Sequence, residues 1–123
     1  MLFRSTEKDV RFTAVKAAHS DSCAIGVIIR AEGKRLYVTG DTLYNTEVLE
    51  DIQTAAKGQV DVVFLPVNGV GNNMNATDAA RFVVDCGAKL AVPIHVGMFD
   101  EKTPEIFDAD NRIILEIYKE TEV

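Results

Sequence analysis

The sequence is poor in the features that mark disordered, membrane-spanning and secreted proteins. Its 123 residues include only three prolines and eight glycines and no low-complexity tract, so most of the chain is expected to fold. No apolar run approaches the ~20 residues that a membrane-spanning helix requires. The first residues, MLFRSTEKDVRF, lack the apolar core of a signal peptide. The sequence therefore predicts a cytoplasmic protein that does not enter a membrane.

Basic residues and cysteines are also scarce. There are 13 lysines and arginines against 19 aspartates and glutamates, and the formal net charge is −6. Nucleic acids favour clustered basic residues, so this scattered and outnumbered set argues against a nucleic-acid partner. Cys23 and Cys86 lie far apart without the spacing of a metal knuckle, and both are expected to be buried free thiols. The length fits a single domain over residues 1–123, with enough chain for one core.

The hydrophobic pattern predicts strands first and then alternating helices and strands. Strands are predicted over residues 10–17, 24–31, 35–39, 60–67 and 89–94. The second and third form a hairpin, and helices begin at Asn45 or Thr46 and at Asn75. The tail is expected to open with a helical turn at Pro104, and residues 113–119 are expected to form a closing strand or, as the less favoured alternative, a short helix. This order predicts an α/β (α+β) domain with a mixed sheet and helices on one face.

Three residues of ligand type follow predicted strands. His19 and His95 are the only histidines, and Asp41 lies in the segment Gly40-Asp41-Thr42. If these strand ends share one edge of the sheet, two imidazoles and a carboxylate converge there, a set that suits Zn²⁺, Mn²⁺ or Fe²⁺. The alternatives are ordinary: surface or hydrogen-bonded histidines, and an aspartate that caps the helix after it.

Three stretches carry a resemblance to a known family: AAHSDSCAIGVIIRAEGKRLYVTGDTLY, VDVVFLPVNG and NATDAARFVVDCGAKLAVPIHVGMF. Together, over residues 10–99, they resemble the second half of metallo-β-lactamase-superfamily proteins, and most closely the metal-dependent hydrolases that include ascorbate-6-phosphate lactonases. In that family an H-S/T-D segment, a hairpin, a G-D-T/S and a P-x-H follow one another in this order. The resemblance implies the C-terminal half of an αββα sandwich.

The resemblance also implies a role for each ligand-type residue. His19 would bind one metal, Asp41 would bridge two metals, and His95 would bind the second, with Asp41 and His95 at the catalytic centre. Asp21 and Ser22 would orient the first imidazole. The resemblance also implies a loop beside the substrate entrance, formed by Asn68, Gly69 and Asn72. Asparagine and glycine are, however, also common in ordinary turns.

The family's H-x-H-x-D-H signature has no counterpart in this sequence. In the family it supplies most of the remaining ligands, so Zn or Mn binding by this chain would be weak or absent. Two functions stay open: a hydrolase whose metal-activated water attacks a lactone or other ester, with half the site elsewhere, or a non-catalytic relic scaffold or binding domain. The predicted strands of this chain are too apolar for one face of their sheet to lie in water. A second copy of the chain in a homodimer, or a complementing N-terminal half, is therefore expected to cover that sheet face.

Overall fold

Six strands form one mixed sheet, and their order across the sheet is their order along the chain. The computed structural model describes residues 2–4, 9–96 and 103–123. The strands are β1 (Leu2–Arg4), β2 (Asp9–Lys16), β3 (Ile25–Ala31), β4 (Lys34–Val38), β5 (Val62–Pro66) and β6 (Leu90–Ile94). The helices are α1 (Thr46–Ala56), α2 (Ala76–Cys86) and the short α3 (Thr103–Ile106). The predicted α/β class with a mixed sheet is confirmed, and β1 is an additional strand.

The strand directions bring the carboxyl ends of four strands to one edge of the sheet. β1 to β4 pair antiparallel, whereas β4, β5 and β6 pair parallel through α1 and α2. Because two antiparallel steps separate β2 from β4, the strands β2, β4, β5 and β6 all point the same way. Their carboxyl ends therefore lie along one edge, which we call the site edge.

Both long helices begin at an asparagine that caps them. The Asn45 side chain accepts hydrogen bonds from the first backbone amides of α1, and the Asn75 side chain accepts one from Asp78. These bonds satisfy amide groups that the first helical turn leaves free, as predicted at both positions. Within the described residues, no helix is long and apolar enough to cross a membrane.

Two arginines from the hairpin stabilise the end of α1 at the edge opposite the site edge. The Arg30 guanidinium donates to the carbonyls of Ala55 and Ala56, and the Arg35 guanidinium donates to Ala56 and Lys57. The last carbonyls of a helix lack helical partners and carry partial negative charge, which suits a guanidinium. These arginines are therefore committed to the fold.

The helices pack on one face of the sheet and form the core with it. This helix face includes Ile28, Tyr37 and Leu65, all fully buried. From the helices, Ile52 and Phe82 pack against them. The buried apolar area supplies the main stabilisation of the domain.

The other face of the sheet is equally apolar, and neither α1 nor α2 covers it. The strand register places these alternate residues on it: Val10, Phe12, Ala14, Val27, Ile29, Leu36, Val38, Val62, Phe64, Leu90, Val92 and Ile94. Val62 and Val92 are buried, Ala14 is exposed and the rest are half-buried. We call this surface the open face.

Two expectations from the sequence are wrong. After one bridge between Ala91 and Arg112 the chain leaves the edge of β6, and residues 113–119 form no strand. Two residues beyond Ala91, Pro93 has no backbone N–H to bond an added strand, and Ile117 is 83% exposed. Cys23 lies exposed in the turn before β3 and is not buried as expected. The helical turn at Pro104 and the free state of both cysteines agree with expectation.

Candidate metal centre

The three ligand-type residues come together at the site edge. His19 follows β2, Asp41 follows β4 and His95 follows β6. The aspartate lies between the histidines: its Oδ2 is 4.0 Å from His19 Nε2, and its Oδ1 is 3.1 Å from His95 Nδ1. Each imidazole thus approaches a different oxygen of one carboxylate. All three side chains are partly exposed, at 24% for His19 and about 40% for the others, so the site opens to solvent.

The backbone around the site is held in conformations that few residues adopt. His95 has a φ of 54° and Asn72 a φ of 61°, in the left-handed region. Gly40, directly before Asp41, has a φ of 67°, and a Cβ there would lie 2.6 Å from the carbonyl oxygen of Ile25. Such conformations persist where surrounding contacts fix them, and they are common at functional sites.

A buried threonine joins the loops that carry His19 and Asp41. Thr42 is fully buried, and its hydroxyl accepts a hydrogen bond of 2.9 Å from the amide of Ala18 and donates one of the same length to the carbonyl of Leu43. The amide of Leu43 donates in turn to the carbonyl of Ala18 at 2.8 Å. This closed set of bonds fixes the residue before His19 against the residues after Asp41.

The loop between β5 and α2, residues 68–75, reaches both histidines, and we call it the asparagine loop. The carbonyl oxygen of Asn72 lies 3.4 Å from His19 Nδ1. The side chain of Asn73 accepts from the amide of Thr42 at 3.1 Å, and its Nδ2 lies 3.5 Å from His95 Nδ1. The amide of Met74 donates to the carbonyl of Thr42 at 2.9 Å.

The structure places the predicted substrate residues in this loop with local partners of their own. Asn68 bridges to Asn75, and its side chain accepts from the amide of Val70. Gly69 turns the chain at a φ of 70°. Asn72 contacts His19 through its carbonyl, whereas the Asp21 carboxylate accepts from Cys23 in a turn. The contact of Asn68, Gly69 and Asn72 with a substrate stays a prediction.

Sequence reasoning missed Thr42 and Asn73. Both act through hydrogen bonds between residues that are distant in the chain, and Asn73 reaches Thr42 and His95 from a separate loop. The run NNMN marks the loop as polar, but the burial of one asparagine among several has no signature in hydrophobic periodicity.

The donor chemistry of the three residues fits a metal ion in part. The Nδ1 nitrogen of His19 faces the carbonyl oxygen of Asn72, which can only accept, and its Nε2 faces Asp41 Oδ2. A ligating histidine that donates its other N–H to a backbone carbonyl is the usual arrangement at metal sites. Yet among residues 9–96 and 103–123, no group of three or more His, Cys, Asp or Glu side chains is arranged to hold a metal by itself. The site is therefore two histidine–aspartate pairs that share one carboxylate.

Solved structures with a similar fold were found by comparison. A metallo hydrolase from Ignicoccus hospitalis matches 87% of this chain with a TM-score of 0.64 and 22% identity, and the match covers 50% of that protein. A metallo-beta-lactamase fold protein from Bacillus subtilis matches 93% of the chain with a TM-score of 0.62 and 16% identity, over 49% of its own length. Likenesses at this identity establish the fold.

Sequence comparisons identify the family. The "UPF0173 metal-dependent hydrolase" of Alkaliphilus metalliredigens is 38% identical over 84 residues, which is 67% of this chain and 35% of that protein. The protein of the same name from Enterococcus faecalis is 33% identical over 87 residues, 68% of this chain and 37% of its own. The chain thus spans little more than a third of these relatives. The family model for the beta-lactamase superfamily domain matches residues 2–96, and the chain belongs to that superfamily.

Proposed function

We propose that this chain supplies part of the active site of a metal-dependent hydrolase that acts on a small ester such as a lactone. The observation that carries the proposal is the Asp41 carboxylate, whose two oxygens face two different imidazoles at the site edge. Names of relatives as metal-dependent hydrolases support the reaction class.

Each ligand-type residue has a distinct task in this proposal. His19 Nε2 and Asp41 Oδ2 would hold one ion, and His95 would contribute to a second. A bound Zn or Mn ion lowers the pKa of a water molecule, which makes hydroxide available for attack near neutral pH. The partly exposed side chains leave room at this edge for a small substrate. A neighbouring loop with Asn68, Gly69 and Asn72 would border it.

We further propose that a complementing half-domain completes the site and covers the open face. Catalytic zinc sites use three protein ligands and a water for each ion, which is more than these shared pairs provide for two ions. An apolar sheet face calls for a covering layer. The relatives contain the chain length for such a layer, since this chain matches only 35% and 37% of them.

Metal content tests this function. The chain is purified alone and together with a second polypeptide, namely the segment of the Alkaliphilus relative that this chain does not match. Zn and Mn are then measured by elemental analysis. We expect near-stoichiometric metal in the complex, weaker uptake by the chain alone, and loss of uptake in His95→Ala. The carboxylate variant Asp61→Asn, at the opposite edge, is the control and keeps its metal. Hydrolysis of lactones and phosphoesters by the loaded complex would then identify the substrate class.

The second candidate is a non-catalytic scaffold that binds a partner through the open face. It is favoured by the lack of a self-sufficient three-ligand group in the described part of the chain. A stable complex without metal, or with metal that His95→Ala does not remove, would establish this alternative and overturn the hydrolase.

A further inference from the structure

We infer that Asn73 is a positioning residue that sets the placement of His95 relative to Asp41. This inference rests on the proposed function of the site, but the contacts that carry it are independent of any bound ion. Asn73 is buried, at 8% exposure, and lies between the backbone that follows Asp41 and the ring of His95.

The amide orientation of Asn73 follows from its partner. Its Oδ1 accepts from the backbone amide of Thr42, which can only donate. The Nδ2 group is therefore the end that lies against His95 Nδ1 at 3.5 Å. One side chain thus contacts two of the three ligand-bearing loops, and Thr42, fully buried, links the same network to the third through Ala18.

The left-handed turn at Asn72 explains how one short segment serves both histidines. With a φ of 61°, Asn72 turns its carbonyl toward His19 while the next side chain reaches His95. Asparagine tolerates this conformation better than most residues. The two consecutive residues therefore fix one imidazole each, by backbone at His19 and by side chain at His95.

His95 Nδ1 lies between two groups of opposite hydrogen-bonding character. Asp41 Oδ1, at 3.1 Å, accepts, and the Asn73 amide nitrogen, at 3.5 Å, donates. One ring nitrogen cannot donate to the first and accept from the second at once. Asn73 therefore acts by position: it fills the space beside Nδ1 and offers this nitrogen no second acceptor, so Asp41 is the acceptor toward which the ring is directed.

Two substitutions separate the functions of the Asn73 side chain. Asn73→Ala removes both contacts. Asn73→Asp keeps an oxygen for the Thr42 amide but places a second acceptor beside His95 Nδ1, which should draw the ring from Asp41. Asn111→Ala is the matched control, because Asn111 is also an amide that bonds two loop segments, donating to the carbonyls of Ala88 and Lys89 at the opposite edge.

Nitrogen-15 NMR of the imidazole rings, recorded on the chain without added metal, gives the primary test. The chain has only two histidines, so His19 is an internal reference. We expect Asn73→Asp to shift the His95 ring nitrogens and leave those of His19 in place, whereas Asn111→Ala moves neither. Unchanged His95 signals in Asn73→Asp would overturn the inference. If Asn73→Ala fails to fold, Asn73→Asp alone provides the test.

Zinc binding by the complex with the complementing half gives the second readout. Residues that orient ligands typically change metal affinity by ~10–100-fold, and we expect a loss in that range for Asn73→Ala but not for Asn111→Ala. Equal affinity in both variants would count against a positioning role. If no variant and no wild-type complex binds zinc, the proposed function fails, while the NMR result still decides the role of Asn73.

Discussion

The two faces of the sheet are similar in composition but differ in what covers them. On the helix face, Ile28, Tyr37 and Leu65 are fully buried under α1 and α2. On the open face, Val38 and Phe64 are only half-buried, although they are as apolar. A sheet with one solvated face normally alternates apolar and polar residues, whereas a sheet buried on both sides is apolar throughout.

The difference is that α1 and α2, among the elements of the described residues, cover only one of two apolar faces. A large contiguous apolar surface marks an interaction site. The same conclusion comes independently from the site edge, where ligand-type residues of the described ranges form shared pairs and not a self-sufficient group. Both observations support the proposal of a complementing half-domain, and this chain covers only 35% and 37% of the two relatives.

Removing one aromatic ring from each face tests the comparison most strongly. Phe82 is fully buried against Tyr37 and Tyr44, with ring centroids 6.3 and 6.1 Å away. Phe82→Ala should lower the free energy of unfolding by about 3–5 kcal/mol, the usual loss for a buried ring. Phe64→Ala, on the open face, should cost less than half as much in the chain alone. Urea denaturation of both variants measures the difference.

The outcome also reports on the occupant of the open face. If the loss at Phe64 grows to match that at Phe82 when the complementing half is added, the half-domain covers this face. Equal losses in the chain alone, with stability that rises with protein concentration, would contradict an open face and support the predicted homodimer instead. Sedimentation at micromolar concentration distinguishes the two cases.

The sequence predicts those parts of the fold that depend on neighbours in the chain. The helix caps at Asn45 and Asn75 are local signals, and each is found in place. The continuous apolar runs of β3 and β5 likewise indicate burial on both faces of the sheet. Residues 113–119 have an apolar alternation but form no strand, because strand formation also depends on the partner edge, where Pro93 of β6 lacks the N–H that a further ladder bond needs.

The site is predictable to a smaller extent. Strand ends locate His19, Asp41 and His95, and the parallel direction of β2, β4 and β6 explains why they meet. The roles of Thr42 and Asn73 could not be predicted, although Thr42 lies in the Gly40-Asp41-Thr42 segment, because they depend on hydrogen bonds across the sheet edge. The single-domain organisation and the bound metal stay predictions, since the chain spans only 35% of the Alkaliphilus relative.

A carboxylate at the edge opposite the site should make the stability of the chain depend on pH. The hydrogen bond from the Arg35 amide, at 2.8 Å, and then the nearby Lys89 hold the pKa of the Asp61 carboxyl below its usual value. A lowered pKa in the folded state stabilises the fold above the unfolded pKa of ~3.9, and this contribution is lost as pH falls through the folded pKa.

Asp61→Asn isolates this contribution. It should cost about 1 kcal/mol at neutral pH, since the charge-assisted part of the bond is lost while an acceptor remains. The difference from the unmodified chain should shrink as pH falls below about 4. Urea titrations between neutral pH and acid follow it. A difference that stays constant with pH would assign the effect to packing and not to charge.

The smallest effect is expected at a polar atom within the helix face. The Tyr37 hydroxyl is buried, and no residue in the described ranges forms a hydrogen bond with it. Burial raises the pKa of this phenol above its ordinary range.

Tyr37→Phe removes an unsatisfied group and keeps the ring against Phe82, so it should leave the stability unchanged or raise it by up to ~1 kcal/mol. Tyr44→Phe is the matched control, because it loses a hydrogen bond of 2.6 Å to Asp85 and should destabilise slightly. A clear loss of stability in Tyr37→Phe would mean that the hydroxyl has a partner, such as a buried water, and that the helix face is less dry than its apolar residues suggest.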